Sequence, residues 1–81
     1  MWFVYIVKCK DESLYTGITT DTKRRLYQHN NKIGAKSLRS KIPVFLVYSE
    51  KYLNQIEAAR REREIKGWSR NKKLKLIKGS P

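Results

Sequence analysis

One glutamate in this chain falls where a solvated glutamate has no reason to be. With about 100° of rotation per residue along 53–66, Ala58, Ile65, Ala59 and Ile56 sit at about 0°, −20°, 100° and 160° on a helical wheel, and Glu62 lies inside that apolar arc at about 40°. Glu57 and Glu64 fall on the opposite side, where Arg60 and Arg61 lie at i, i+3 or i, i+4 spacing and explain them as an ordinary solvated face. Glu62 lacks that explanation. A carboxylate on a core-facing side must be paired, hydrogen-bonded or bound to a cation, because an isolated buried charge is costly. A structural salt bridge and a metal ligand both answer the requirement. Mg²⁺ in particular needs only one or two protein carboxylates when water and substrate phosphate complete its shell.

Three other residue types could share such a site. Arg25 and His29 stand four apart on a predicted helix, project from one face, and could meet one phosphate together; the bland reading is a solvated basic helix, which is the preferred one for Lys23 and Arg24. Tyr5 and Tyr15 lie in two predicted strands, where phenols usually serve cross-strand packing. Zinc cages, Cys-His nucleophiles and nucleotide-binding loops are set aside, since the chain has one histidine, one cysteine and no Walker or HExxH pattern.

The elements that must position these groups are legible in outline. Trp2 to Cys9 and Leu14 to Thr19 are rich in β-branched and aromatic residues and flank a turn-like Lys10-Asp11-Glu12-Ser13, which predicts a β-hairpin. A three-residue loop of Lys10, Asp11 and Glu12 pairs Cys9 with Ser13, sets Tyr5 opposite Gly17 and Tyr15 opposite Val7, and puts both phenols on one face. A two-residue turn would throw them onto opposite faces. The odd loop requires a left-handed Glu12, and it is the register expected here, with Arg25, His29 and Glu62 converging on the same face.

Asp21 caps a helix reaching about Asn30, and Asn31 to Pro43 reads as a basic loop with at most one helical turn. Val44 to Ser49 reads as a buried strand, Leu53 to Lys66 as a second helix closed by a left-handed Gly67, and Arg70 to Lys78 as a third capped by Ser69, with Leu74 and Ile77 as its apolar stripe. The order ββαβαα predicts an α/β (α+β) fold, a three-stranded and mainly antiparallel sheet flanked by helices, as one domain over 1–81.

Nineteen Lys and Arg against seven Asp and Glu give a formal charge of +12, more than solubility requires, so a polyanion is the expected partner. Nucleic acid fits better than a membrane, because the basic residues occur in every segment and no long amphipathic helix collects them. The apolar opening Met1 to Val7 is too short to span a bilayer and lacks a basic lead-in, and Cys9, the only cysteine, excludes an intrachain disulfide. A cytoplasmic monomer is expected.

Phe3-Val4-Tyr5, Tyr15-Thr16-Gly17, Arg25 ten residues on, and Glu57-Ala58-Ala59-Arg60-Arg61-Glu62 on a later helix together resemble the GIY-YIG nuclease superfamily, over about residues 3 to 66. VYIVKC, LYTGIT, RRLYQHN, GAKS and REREIKGW look like its small single-domain bacterial and archaeal branch, related to the N-terminal nuclease domain of UvrC. The sequence departs by FVY for GIY and YTG for YIG, and it offers no clear counterpart to the asparagine that some members carry near the end.

The resemblance implies a metal-dependent endonuclease acting on nucleic acid, DNA more than RNA, in which Tyr5 and Tyr15 are the signature tyrosines. It makes Gly17 the signature glycine, Arg25 the catalytic arginine, His29 the histidine of structure-selective relatives, and Glu62 the ligand of Mg²⁺ or Mn²⁺. Tyr5 foremost would orient or deprotonate the water, Arg25 would bind the scissile phosphate through its planar fork, and the metal would assist the departing 3′ oxygen. A free phenol ionises near pH 10, so a base role requires Arg25, Lys8 or the metal to lower that value. Lys36, Arg39, Lys41, Lys72 and Lys73 are expected to contact phosphates. The competing reading is a non-catalytic nucleic-acid-binding module that keeps the nuclease fold; a ribosome-associated protein would fit the charge and leave the Tyr, Arg and Glu constellation unexplained.

Overall fold

The hairpin is set by the chemistry of its turn. In the computed structural model, which describes residues 1–79, Asp11 accepts hydrogen bonds from the Ser13 amide (3.0 Å) and hydroxyl (2.6 Å), and Glu12 adopts φ 73°. The Cys9 amide donates to Ser13 O at 2.8 Å, closing the three-residue loop. β1 (Trp2–Lys8) and β2 (Leu14–Thr19) therefore pair antiparallel with Tyr5 opposite Gly17 and Val7 opposite Tyr15. The odd-loop register is the one adopted, and the phenols share a face. Ser80 and Pro81, the last two positions of the domain expected over 1–81, lie outside the described residues.

The remaining elements are α1 (Thr22–Asn30), a 3-10 turn at Lys36–Leu38, β3 (Phe45–Tyr52), α2 (Gln55–Lys66) and α3 (Arg70–Ile77). The sheet order is β2-β1-β3, antiparallel throughout, so the fold is the α+β arrangement ββαβαα. Asp21 and Ser69 cap α1 and α3 by accepting the Arg24 and Lys72 amides, and Asn54 caps α2 by accepting the Glu57 amide at 2.9 Å.

Because side chains alternate along a strand, β1 feeds two separate cores. Tyr5, Val7 and Cys9 pack with Leu38, Val44 and the half-buried Leu26, Ala35 and Ile42, placing α1 and its following loop on one face. Val4 and Ile6 pack with Ala58 and Ile65 of α2 and with Trp68, Leu76 and Ile77 on the other.

Several sequence expectations are corrected. The third strand is not buried: it spans Phe45–Tyr52 at the sheet edge, with Phe45 61% exposed and a bulge at Val47, since Ile6 pairs with Tyr48 but Val7 with Leu46. Helix α2 starts at Gln55 rather than Leu53, and Ile56, in its first turn beside the exposed Leu53, is itself exposed. Gly67 ends α2 at φ −81°, in the right-handed region rather than the left. On α3, Leu76 rather than Leu74 joins Ile77 in the core.

Candidate active site

Gly17 lets β1 present a phenol across β2. A Cβ built on Gly17 would lie 2.6 Å from Tyr5 Oη and 2.7 Å from Cζ, so the Tyr5 ring rests on bare backbone where any other residue would collide with it. Tyr15, on the same face, stands 6.4 Å from Tyr5 between ring centroids. Thr16, between Tyr15 and Gly17, points to the other face, where its hydroxyl is buried without a hydrogen-bond partner.

Helix α1 delivers the third ring. His29 is 1% exposed, an interior group and not part of a solvated basic helix face, and its centroid lies 5.9 Å from Tyr5 and 5.7 Å from Tyr15. Its Nε2 is 2.8 Å from Tyr5 Oη, and its Nδ1 accepts the Ala35 amide hydrogen at 3.3 Å. A neutral imidazole has one donor and one acceptor, so the Ala35 amide assigns the proton to Nε2, which donates to Tyr5 Oη. Burial and the Arg25 charge both lower the His29 pKa, keeping the ring neutral. Gly34 closes this arrangement: a Cβ there would strike His29 Nδ1.

Arg25, one turn before His29, donates through Nη1 to Gln28 Oε1 at 3.1 Å, while its buried Nε has no partner. Burial raises the Tyr5 pKa; the neighbouring Arg25 opposes the rise, while Tyr15 and the Glu62 carboxylate add to it. The resting phenol is therefore protonated.

Glu62 is a half-buried side chain, 21% exposed, whose Oε2 lies 3.2 Å from Lys66 Nζ. Its helix packs on the face opposite Tyr5, so Glu62 comes to the site from the far-face helix beside β2 rather than from the phenols' own face. Lys66 Nζ is in turn 6.0 Å from the Tyr15 ring centroid. No three His, Cys, Asp or Glu side chains come together among the described residues. The donor set is a single carboxylate, which fits Mg²⁺ or Mn²⁺ completed by water and phosphate and does not fit a zinc cage.

A model of the GIY-YIG catalytic domain matches residues 1–75, nearly the whole chain. The chain belongs to the GIY-YIG family. Its relatives include UPF0213 proteins of Staphylococcus haemolyticus (55% identical over 93% of this chain and 92% of that one) and Staphylococcus aureus (54%, over 94% and 93%). The solution NMR structure of a UPF0213 protein from Bacillus halodurans is similar at TM-score 0.61 and 44% identity, covering 96% of this chain and 84% of that one. This is a small GIY-YIG domain of a nuclease superfamily, as the motifs implied.

The basic residues divide between the two sides of the GIY-YIG sheet. Lys36 and Arg39 are exposed on the loop that packs over the Tyr5 face, with Lys41 3.8 Å from Asp11. Lys72, stacked 4.3 Å over Trp68, and Lys73 lie on α3 against the other face. The two groups do not form one row. Sequence reasoning gave no role to Gly34, the Ala35 amide or Lys66, although Gly34 and Ala35 open the GAKS motif and Lys66 stands i, i+4 from Glu62.

Proposed function

We propose that this chain is a metal-dependent endonuclease that hydrolyses phosphodiester bonds of nucleic acid, DNA in preference to RNA, with branched and flapped duplexes as candidate substrates. The observation that carries this reading is the buried Tyr5–His29 hydrogen bond beside Tyr15 and the unpartnered, buried Nε of Arg25. A phenol used only for packing would not need an imidazole whose tautomer is fixed by a backbone amide.

In this reading Tyr5 first gives up its phenolic proton to solvent, beside the positive charge of Arg25, and the phenolate oxygen then takes the proton of a water attacking phosphorus. His29 Nε2–H, already aimed at that oxygen, stabilises the phenolate, and it does so as a donor because its Nδ1 is occupied by Ala35. Gln28 holds Nη1 of the Arg25 guanidinium, leaving Nη2 at the end of the fork for a non-bridging phosphate oxygen. Tyr15 lines the site and orients the water. Mg²⁺ or Mn²⁺ held by Glu62 would supply charge neutralisation for the departing 3′ oxygen. Lys36, Arg39 and Lys41 flank the phenol side of the sheet and would bind the backbone there, while Lys72 and Lys73 would serve a strand that wraps the far side.

One observation favours a binding module that does not cleave: Glu62 already has a cation, Lys66, and so has a structural use. Cleavage of branched, flapped, single-stranded and duplex DNA with Mg²⁺ or Mn²⁺ separates the two, with Glu62→Gln as the deciding variant. A nuclease loses metal-dependent cleavage in Glu62→Gln and keeps nucleic-acid binding and its melting temperature. A module held by the Glu62–Lys66 pair shows no metal-dependent cleavage before or after the change.

A further inference from the structure

Lys66 is shared between two groups of the site. Its ammonium is 3.2 Å from Glu62 Oε2 and 6.0 Å from the centre of the Tyr15 ring. An i, i+4 Glu-to-Lys pair is a common way to decorate a helix, and both partners of such a pair are usually solvated. Here the carboxylate is 21% exposed and the lysine 52%, so a half-exposed cation reaches from solvent onto a half-buried acid. The other ion pairs of α2 point elsewhere: Glu64 pairs with Arg61, which is bound to Glu50 on β3.

We infer that Lys66 is a substrate-binding residue parked on Glu62, and that metal and nucleic acid exchange it from the carboxylate to a phosphate. The inference rests on the reading of Glu62 as the metal ligand. A divalent ion and an ammonium compete for the same carboxylate, so the ion must displace Lys66. The released side chain stays tethered beside Tyr15, on the side of the site where a backbone phosphate would lie, and adds a point charge to the fork of Arg25. A phosphate that draws Lys66 away frees Glu62 for metal, so each ligand raises the affinity of the other.

Lys66→Met keeps an unbranched chain over Tyr15 and removes the charge. Mn²⁺ affinity, read by calorimetry and by the electron paramagnetic resonance of free Mn²⁺ without nucleic acid, is expected to tighten about two- to fivefold, the range set by an exposed ion pair. A phosphorothioate duplex, which keeps its charges and resists cleavage, is expected to tighten Mn²⁺ binding by wild type, and to do so less for Lys66→Met. Its own binding in Mn²⁺ should lose about 1 unit of salt slope in the variant. Unchanged or weaker Mn²⁺ binding by Lys66→Met, with binding abolished in Glu62→Gln, overturns the role of Lys66 alone. Wild-type Mn²⁺ affinity in Glu62→Gln removes the metal reading of Glu62 and this inference with it.

Discussion

Replacing Gly17 by alanine adds one methyl group to the place the Tyr5 phenol occupies. The new Cβ would lie 2.6, 2.7 and 3.0 Å from Oη, Cζ and Cε2 of Tyr5, so the ring must retreat by roughly 1 Å to reach ordinary carbon contact at about 3.5–4.0 Å. Tyr5 is 2% exposed and packed among Val7, Cys9, Leu38 and Val44, so it has no free space to retreat into. Overpacking of this kind costs about 1–3 kcal/mol. The same movement stretches the 2.8 Å bond to His29, which is worth about 1 kcal/mol when made and more when its buried partners are left unsatisfied. The expected total is about 2–4 kcal/mol, read as a fall of roughly 10–20 °C or more in melting temperature for a domain of this size.

Chemistry should suffer separately, since a displacement of about 1 Å at a reacting group costs on the order of 100-fold. Single-turnover cleavage at a temperature where the variant is folded should fall by about that factor, while duplex affinity changes little. In a double-mutant cycle, Tyr5→Ala should absorb most of the stability cost of Gly17→Ala, because the colliding ring is gone. A Gly17→Ala protein with wild-type melting and cleavage would refute the packing of Tyr5 on bare backbone.

Two further outcomes test the interior polar groups. Because burial and Arg25 depress the His29 pKa, its contribution to stability is present above the unfolded value of about 6.5 and is lost as pH falls from there toward the lower folded value. Gly34→Ala, which pushes the ring off Ala35, should move the NMR titration of His29 back up toward 6.5; an unmoved titration refutes the role of Gly34. Thr16→Val removes a buried hydroxyl that has no partner, so stability should be unchanged or rise by up to about 1 kcal/mol in denaturant melts, and a clear loss would reveal a hydrogen bond the geometry lacks.

The parts of this fold readable in the sequence are those decided by a few neighbouring residues. The turn chemistry of Asp11, Glu12 and Ser13 fixed the hairpin register, and that register put Tyr5, Tyr15 and Gly17 together before any tertiary contact was known. Helical spacing put Arg25 and His29 on one face but could not say whether that face was interior. The run VFLVYS looked buried because apolar composition does not distinguish a central strand from an edge strand, and only the sheet order makes β3 an edge. Asn54 was an available cap signal, with Glu57 three residues on, that the apolar Leu53 obscured. Gly34 stood in the GAKS motif, but its purpose was out of reach, since that is a contact with a side chain on the preceding helix that composition does not encode.

Tyr5 belongs to the middle strand of the sheet, and that strand is pinned by cores on both faces and by hydrogen bonds along both edges. Such a segment opens only when the whole domain opens, so its amides should exchange with solvent on the slowest timescale of the molecule. The half of the site built on Tyr5 and His29 is then a fixed die, and Lys66, exposed on the last turn of α2, belongs to an adjustable rim. Adaptation to differently shaped nucleic acids would be written into the rim, through the loop after α1 and the end of α2, with no need to recut the die.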